Sequence, residues 1–410
     1  MTPSKERTDF WTGDVPWVSP KDMKRAILDD SIDHVSHAAL QESGLKLHAP
    51  GGVLVVVRGM ILAHTFPVAS NSVPVTVNQD MKVLRPVTGV DSRYLAWMLQ
   101  GLESVMLSLT DESAHGTKAL RTDQWANLAV PVPSEPAQVQ IANFLDEKAA
   151  RIDALIAEKE RLASVLIAMK RDAIDRAVLG EGTDKSGLPL RGLEVLGTIP
   201  EGWASSRMKF ELEYVTSGSR GWAEYYADDG ALFVRIGNLT RDSICLDFND
   251  IQRVALPDAT EGVRARVREG DLLISITAYL GSVAVTPADI EEAYVSQHVS
   301  LARPNCLRAL PKWLGYVVLS SIGRTFFDLQ AYGGTKVQLS LDDIRELPVP
   351  LPEVDVQGER IEQLEARLRS LNELASHALE SAGRLREYRS SLISAAVTGQ
   401  LDINAYKHAA

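Results

Sequence analysis

The chain repeats itself, and that duplication limits what it can fold into more than any other feature. Val77-Asn78-Gln79-Asp80-Met81-Lys82-Val83-Leu84-Arg85-Pro86 returns as Val295-Ser296-Gln297-His298-Val299-Ser300-Leu301-Ala302-Arg303-Pro304, an offset of 218 residues (295 − 77). Gly116-Thr117-Lys118 returns as Gly334-Thr335-Lys336 at the same offset of 218 (334 − 116). Leu128-Ala129-Val130-Pro131-Val132-Pro133 returns as Leu347-Pro348-Val349-Pro350-Leu351-Pro352, and Val178-Leu179-Gly180 as Val397-Thr398-Gly399, both at 219 (347 − 128; 397 − 178). A period this long exceeds that of any solenoid, so each copy is a domain with an attached element. Two similar units offer two similar surfaces, which suits a two-part ligand.

The bulk composition narrows the class. At 410 residues the chain is too long for one ordinary core, and 45% hydrophobic with 24% charged residues is ordinary for a globular protein. No apolar run approaches the roughly 18 residues of a membrane helix, and the first residues carry no secretory signal; a cytoplasmic protein without a membrane partner is expected. Cys245 and Cys306 form neither a disulfide framework nor a zinc site and are expected to be buried thiols. His34 and His37 have helical spacing but no third ligand, so no metal site is expected. The net charge of −11 argues mildly against nucleic acid unless basic residues gather on one face or a partner supplies them. The chain contains no Asn-Pro-Pro-Tyr or Asp-Pro-Pro-Tyr string and no phosphate loop of the G-x-x-x-x-G-K-[ST] type, so neither an adenine methyltransferase nor an ATPase is visible.

Each copy has an irregular first part and a long helical second part. Val53–Val57 and Asp271–Thr277 read as equivalent buried strands. Helices follow over 92–109 and 311–329, then the Gly-Thr-Lys loops and the Pro-X-Pro exits. In the second long helix Ile361, Leu364, Leu368, Leu371, Ala375, Ala378, Ala382 and Leu385 are spaced by alternating steps of three and four, a heptad seam. The first offers Ile141, Leu145, Ile152, Leu155, Leu162, Leu166, Met169 and Ala173, interrupted by Lys148 and Lys159. Each helix can run about 40 residues, or roughly 60 Å. A single amphipathic helix would leave its stripe wet, so the two are expected to pair; the alternative is that each packs on its own domain. The fold class is α+β: two mixed α/β domains separated by two long coiled-coil-like helices that pair, a pseudo-twofold internal repeat. The boundaries are 1–134 for the first domain, 135–180 for the first helix, 181–199 for a linker, 200–352 for the second domain, 353–397 for the second helix and 398–410 for a tail.

Several strings carry a family resemblance. Trp17-Val18-Ser19-Pro20-Lys21-Asp22-Met23, Ile141-Ala142-Asn143-Phe144-Leu145-Asp146, Arg151-Ile152-Asp153-Ala154-Leu155-Ile156, residues 192–203 and Ala396-Val397-Thr398-Gly399-Gln400-Leu401-Asp402 resemble, in this order, segments of the specificity subunit of type I restriction–modification systems. The resemblance covers nearly the whole chain. It implies that each recognition domain reads one half of a bipartite, asymmetric target in double-stranded DNA. It implies that the two long helices pack antiparallel as a spacer between the target recognition domains and dock two modification (methyltransferase) subunits, which bind S-adenosylmethionine and methylate adenine. Restriction subunits would add ATP- and Mg-dependent translocation and cleavage. The chain itself is expected to hold no cofactor and no catalytic residue.

Within that frame the candidate DNA contacts are polar residues that recur in place. Gln79 and Gln297 match, and glutamine can bond adenine N6 and N7 together. Their neighbours differ: Asn78 and Asp80 in the first copy, Ser296 and His298 in the second. Thr117-Lys118 and Thr335-Lys336 suit phosphate contacts. Lys21, Asp22, Arg235 and Asn238 lie on equivalent segments. Each has a plain structural alternative as a turn cap, a solvated lysine or an ordinary loop residue. Two other functions stay open: an adaptor with degenerate readers, and a methyltransferase fused to its own recognition domains. The first copy also departs from the second: residues matching Trp203 to Gly218 have no counterpart before Phe10-Trp11. Its leading strands are expected to be absent, through an upstream start or a shortened domain.

Overall fold

The computed structural model describes residues 2–112, 117–180, 187, 189–194, 198–256, 262–331, 337–403 and 405. It divides into two compact units, Met1–Arg161 with Ala378–Ala410, and Leu162–His377. The boundary falls within both long helices, which run Glu135–Leu179 and Val354–Val397. No helix among the described residues is long and apolar enough to cross a membrane.

The first unit is built on Val53–Val56, an all-apolar strand that is wholly buried. β-Branched residues on both faces suit a central position, and the strand lies antiparallel between Val68–Asn71 and Met81–Leu84. Ile27–Leu28 joins the far side of Val68–Asn71 in parallel. In the second unit Leu272–Ser275 takes the same place, antiparallel between Val283–Val285 and Val299–Pro304. The repeat extends to register: Val53 faces Leu84, and Leu272 faces Ala302. A further strand, Leu212–Ser217, covers the outer edge of Val299–Pro304. In the first unit, no described strand covers the outer edge of Met81–Leu84. Ala204–Arg207, paired with Pro348–Leu351, likewise has no counterpart there. Neither leading strand of the second copy has a counterpart among the described residues of the first.

The two helices read from sequence at 92–109 and 311–329 are each broken into a pair. Ser92–Gly101 is followed by Glu103–Ser108, and Pro311–Leu319 by Ser321–Gln330. In the second copy the break is a cap: the Ser320 hydroxyl accepts from Ile322 N.

One buried glutamine in each copy ties the mixed α/β domain to its long helix. Gln138 Oε1 accepts from Asp91 N at 2.9 Å, and its Nε2 donates to Gly89 O at 3.0 Å and Pro133 O at 2.8 Å. Gln357 repeats the set: it accepts from Leu310 N at 2.8 Å and donates to Arg308 O at 3.1 Å and Pro352 O at 2.8 Å. Both side chains are 0% exposed, and each lies 219 residues from its counterpart (357 − 138). Alongside, Tyr94 Oη donates to Pro131 O at 2.8 Å, and Trp313 Nε1 to Pro350 O at 2.9 Å. Trp97 Nε1 donates to Asp146, and the equivalent Tyr316 hydroxyl lies against Glu365. Burial, with Glu365 nearby, pushes the Tyr316 hydroxyl far above its ordinary range. Tyr94 and Trp313 stand out in the sequence as matching aromatic anchors, but sequence reading missed Gln138, Gln357, Trp97, Tyr316, Asp146 and Glu365, although they repeat at the same offset.

Inside each unit the two long helices run antiparallel. In the first, Arg389 Nε lies 2.8 Å from Asp153, and Arg386 meets Glu160, so one chain descends as the other rises. In the second, Leu166 packs on Leu371 and Ala375, while Arg360 reaches Ala177 O. Leu145, Ile152, Leu166, Ile361, Leu364 and Leu371 are buried, and Ile141, Leu368 and Leu385 are partly buried against the cores. Leu155 and Leu162 are corrected: they are 40% and 44% exposed, while Ile156 and Ala163 beside them are buried. The seam runs through Ala142, Leu145, Ala149, Ile152, Ile156, Ala163 and Leu166. Its alanines permit close approach, and preferring leucines moves the reading one residue, or about 100° around the helix. The cysteines are also corrected. Cys245, next to buried Ile244, and Cys306, in a turn after Pro304, are both exposed.

Two substitutions test these joints. Gln357→Leu strands one backbone N–H and two carbonyls in a dry site and should cost about 2–4 kcal/mol in urea unfolding. Leu371→Asp puts an unpaired carboxylate in the helix seam and should lower stability by several kcal/mol, seen as a reduced Tm.

Candidate nucleic-acid interface

In each copy two parallel strands end side by side, and their ends carry the polar residues singled out above. Val15–Val18 pairs in parallel with Thr76–Val77, and Ala231–Val234 with Ala293–Val295. The chain then turns outward through the same bonds. Asn78 N donates to Val18 O at 3.0 Å, and Ser296 N to Val234 O at 2.9 Å. Val57 N donates to Asp80 O at 2.8 Å and Ile276 N to His298 O at 3.1 Å. Leu120 N donates to Val57 O and Leu339 N to Ile276 O, both at 2.9 Å. Four separate stretches of chain therefore converge at one end of each domain.

On this shared frame the side chains differ. In the first copy Asn78 Nδ2 lies 3.2 Å from Asp80 Oδ2, and Asp80 N donates to Asn78 Oδ1 at 3.0 Å. Gln79 is exposed and accepts from the Thr2 hydroxyl. A cavity of about 640 Å³ brings together Lys5, Trp11, Trp17, Lys21, Asn78 and Asp80. Trp11 and Trp17 meet edge to face, 5.0 Å between centroids, and the buried Trp17 Nε1 has no partner. In the second copy a cavity of about 270 Å³ brings Arg235, Ser296, Gln297 and His298 against Trp222 and Phe233, which stack at 5.4 Å. Gln297 Nε2 lies 2.9 Å from His298 Nε2, while the buried Gln297 Oε1 and Ser296 Oγ have no partner. A buried polar atom without a partner is costly and marks a place where a ligand or water completes the bonding.

Asp22 and Asn238 are occupied by structure. Asp22 accepts from Ser19 N at 2.8 Å, Ser19 Oγ at 3.0 Å and Ile32 N at 2.7 Å. Asn238 accepts from Arg235 N and donates to Asp247 O and Asp250 O, all at 2.9 Å. They are equivalent positions (238 − 22 = 216) that clamp the loops presenting Lys21 and Arg235. Lys21 is exposed; Arg235 lies 2.9 Å from Asp250. Thr117 and Lys118 are half-buried, with Lys118 on a short strand opposite Gly59 and Glu112. Thr335 and Lys336 lie outside the described residues. The aromatic walls went unread, because Trp17 and Phe233 alternate along strands as core residues do.

Comparison with known proteins places this architecture. The family model of the type I restriction modification DNA specificity domain matches residues 1–163 and 263–381. The chain belongs to this family. It is 33% identical over 147 residues to the specificity subunit of the type I restriction enzyme EcoR124I/EcoR124II of Escherichia coli, covering 36% of each chain. It is 26% identical over 263 residues to the MjaIX specificity subunit of Methanocaldococcus jannaschii, covering 63% of this chain and 59% of that one. The matches thus span about a third and three fifths of those relatives. A chain from a structural study of complex assembly and conformational transition of the type I R-M system superposes with a TM-score of 0.68 at 15% identity, covering 87% of this chain and 84% of that one. That likeness establishes the shared fold.

Asn238→Ala removes three hydrogen bonds from a buried loop clamp. It should cost about 2–3 kcal/mol, measurable by urea unfolding, and should speed amide exchange at Arg235.

Proposed function

We propose that this chain is the DNA-reading subunit of a type I restriction–modification complex, each copy reading one half of a bipartite duplex target. The observation that supports it is the pair of strand-end faces: backbone wiring is the same in both, whereas Asn78-Gln79-Asp80 stands against Ser296-Gln297-His298. A shared frame with different polar tips is what two readers of different half-sites require. Direct readout needs donors and acceptors at base edges, and Gln79, Gln297 and His298 present both. Lys21, Lys118 and Arg235 suit phosphate, as do Thr335 and Lys336 by their place in the repeat.

In this reading the chain does no chemistry. It scaffolds two modification subunits, which hold S-adenosylmethionine, and restriction or translocase subunits, which use ATP and Mg, in the cytoplasm. The long helices, whose surfaces include apolar Leu162, Val165 and Met169, are the surface for those partners. A second reading, an adaptor whose readers have degenerated, is favoured only by the bare strand edge of the first copy. It predicts partner binding without sequence-specific DNA affinity.

The test is the methylation motif of cells carrying the complex, with purified-complex binding beside it. Gln297→Ala should relax one half-site only, by about 1–3 kcal/mol for a lost bidentate contact. Lys118→Ala should weaken binding evenly across sequences and flatten its salt dependence. An unaltered motif in both halves for Gln297→Ala overturns the assignment.

A further inference from the structure

The turn that follows each central strand projects one large apolar side chain into solvent. In the first copy it is Met60, 71% exposed, and in the second Tyr279, 63% exposed; the two are 219 residues apart (279 − 60). One exposed apolar residue is ordinary on a protein surface, but here the backbone is shaped to present it in both copies. The residue before each has a positive φ, 149° at Gly59 and 61° at Ala278. Ala278 is the only non-glycine with a positive φ among the described residues, and such strain gathers where a residue is held for use. Both turns are wired to the strand-end face. Val57 N and Arg58 N donate to the carbonyl of Asp80, which follows Gln79, at 2.8 and 3.3 Å. Ile276 N donates to the carbonyl of His298, which follows Gln297, at 3.1 Å. Gly59 stands opposite Lys118, and Ala278 N donates to Val337 O at 3.3 Å. A basic side chain attends each tip: Arg58 is exposed, and Arg241 lies 5.7 Å from the Tyr279 ring centroid while donating to Leu280 O at 3.3 Å.

We propose, resting on the DNA reading above, that Met60 and Tyr279 are specificity-determining residues, each covering the C5-methyl group of a thymine in the half-site read by its own copy. Base edges in the major groove present hydrogen-bond donors, acceptors and one apolar group, the thymine methyl. An apolar side chain carried into the groove beside a reading glutamine therefore has a single complementary partner there. Gln79 and Gln297 address hydrogen-bonding atoms; Met60 and Tyr279 add a contact that only thymine can return. A polarizable thioether and a flat ring both cover a methyl group well. Arg58 and Arg241 suit the phosphates that border the groove. The turns fix where each side chain leaves the backbone before DNA arrives, so little order is lost on binding.

The test uses the purified complex and duplexes of the target given by its methylation motif, with each thymine replaced in turn by deoxyuridine. That exchange deletes the methyl group and leaves every hydrogen-bonding atom in place. In each half-site one replacement should weaken binding by about fourfold, as expected for one buried carbon. Tyr279→Ala should remove that penalty in one half-site and Met60→Ala in the other, whereas Tyr279→Phe and Met60→Leu should keep it. A half-site without a deoxyuridine penalty overturns the assignment. So does a penalty that survives the alanine variants, or one that the conservative variants remove equally. Wild-type complex with no preference for its target duplex overturns the DNA reading and this assignment together; a retained preference without methyl sensitivity overturns the assignment alone.

Discussion

Gln138 and Gln357 are the joints on which the rest of the molecule depends. A primary amide is the smallest side chain that offers one acceptor and two donors in one plane, and each of these uses all three. Each accepts the backbone N–H that opens a domain helix and donates to two carbonyls, one in the loop ahead of that helix and one in the Pro-X-Pro exit. Proline lacks an N–H, so each exit proline is held through its carbonyl, and the Tyr94 hydroxyl and Trp313 indole grip two more of these. The direction in which each long helix leaves its domain is fixed there by several bonds that must all form together.

Offsets within the repeat separate what is constrained from what is free. At the joints the spacing is a constant 219: Tyr94 and Trp313, Gln138 and Gln357, Asp146 and Glu365. Around the strand-end face it drifts to 218 at Gln79 and Gln297 and to 216 at Asp22 and Asn238. Surface loops absorb single-residue insertions at little cost, whereas a helix cannot shift by one residue without turning its buried face to water. Chemistry at equivalent positions follows the same division. Joint residues trade within one role, as Trp97 and Tyr316 do, while tips change charge outright, as Asp80 and His298 do.

Much of the architecture was legible because duplication and periodicity are properties of spacing. The central strands and the long helices followed from repeated strings and three–four steps, and the antiparallel direction of their pairing from the family resemblance. Leu155 and Leu162 misled because a seam built for close approach uses Ala149 and Ala163, and alanine carries little hydrophobic signal of its own. The break at Ser320 was hidden within an apolar run that read as one helix. Asp22 and Asn238 shared a location with exposed tip residues, and only coordinates separate a side chain bonded to its own loop from one facing outward. The buried atoms of Trp17, Ser296 and Gln297 that lack partners are likewise invisible to sequence, since each residue type is usually satisfied.

The loop clamps have an evolutionary consequence. Because Asp22 and Asn238 hold their loops through backbone groups, the shape of each tip is independent of the side chains displayed on it. The side chains of Lys21 and Arg235 can be exchanged without disturbing the bonds that Asp22 and Asn238 make. A lineage could therefore change the side chains displayed at these tips by single substitutions while the clamps hold and, on the function proposed above, change the recognition sequence with them.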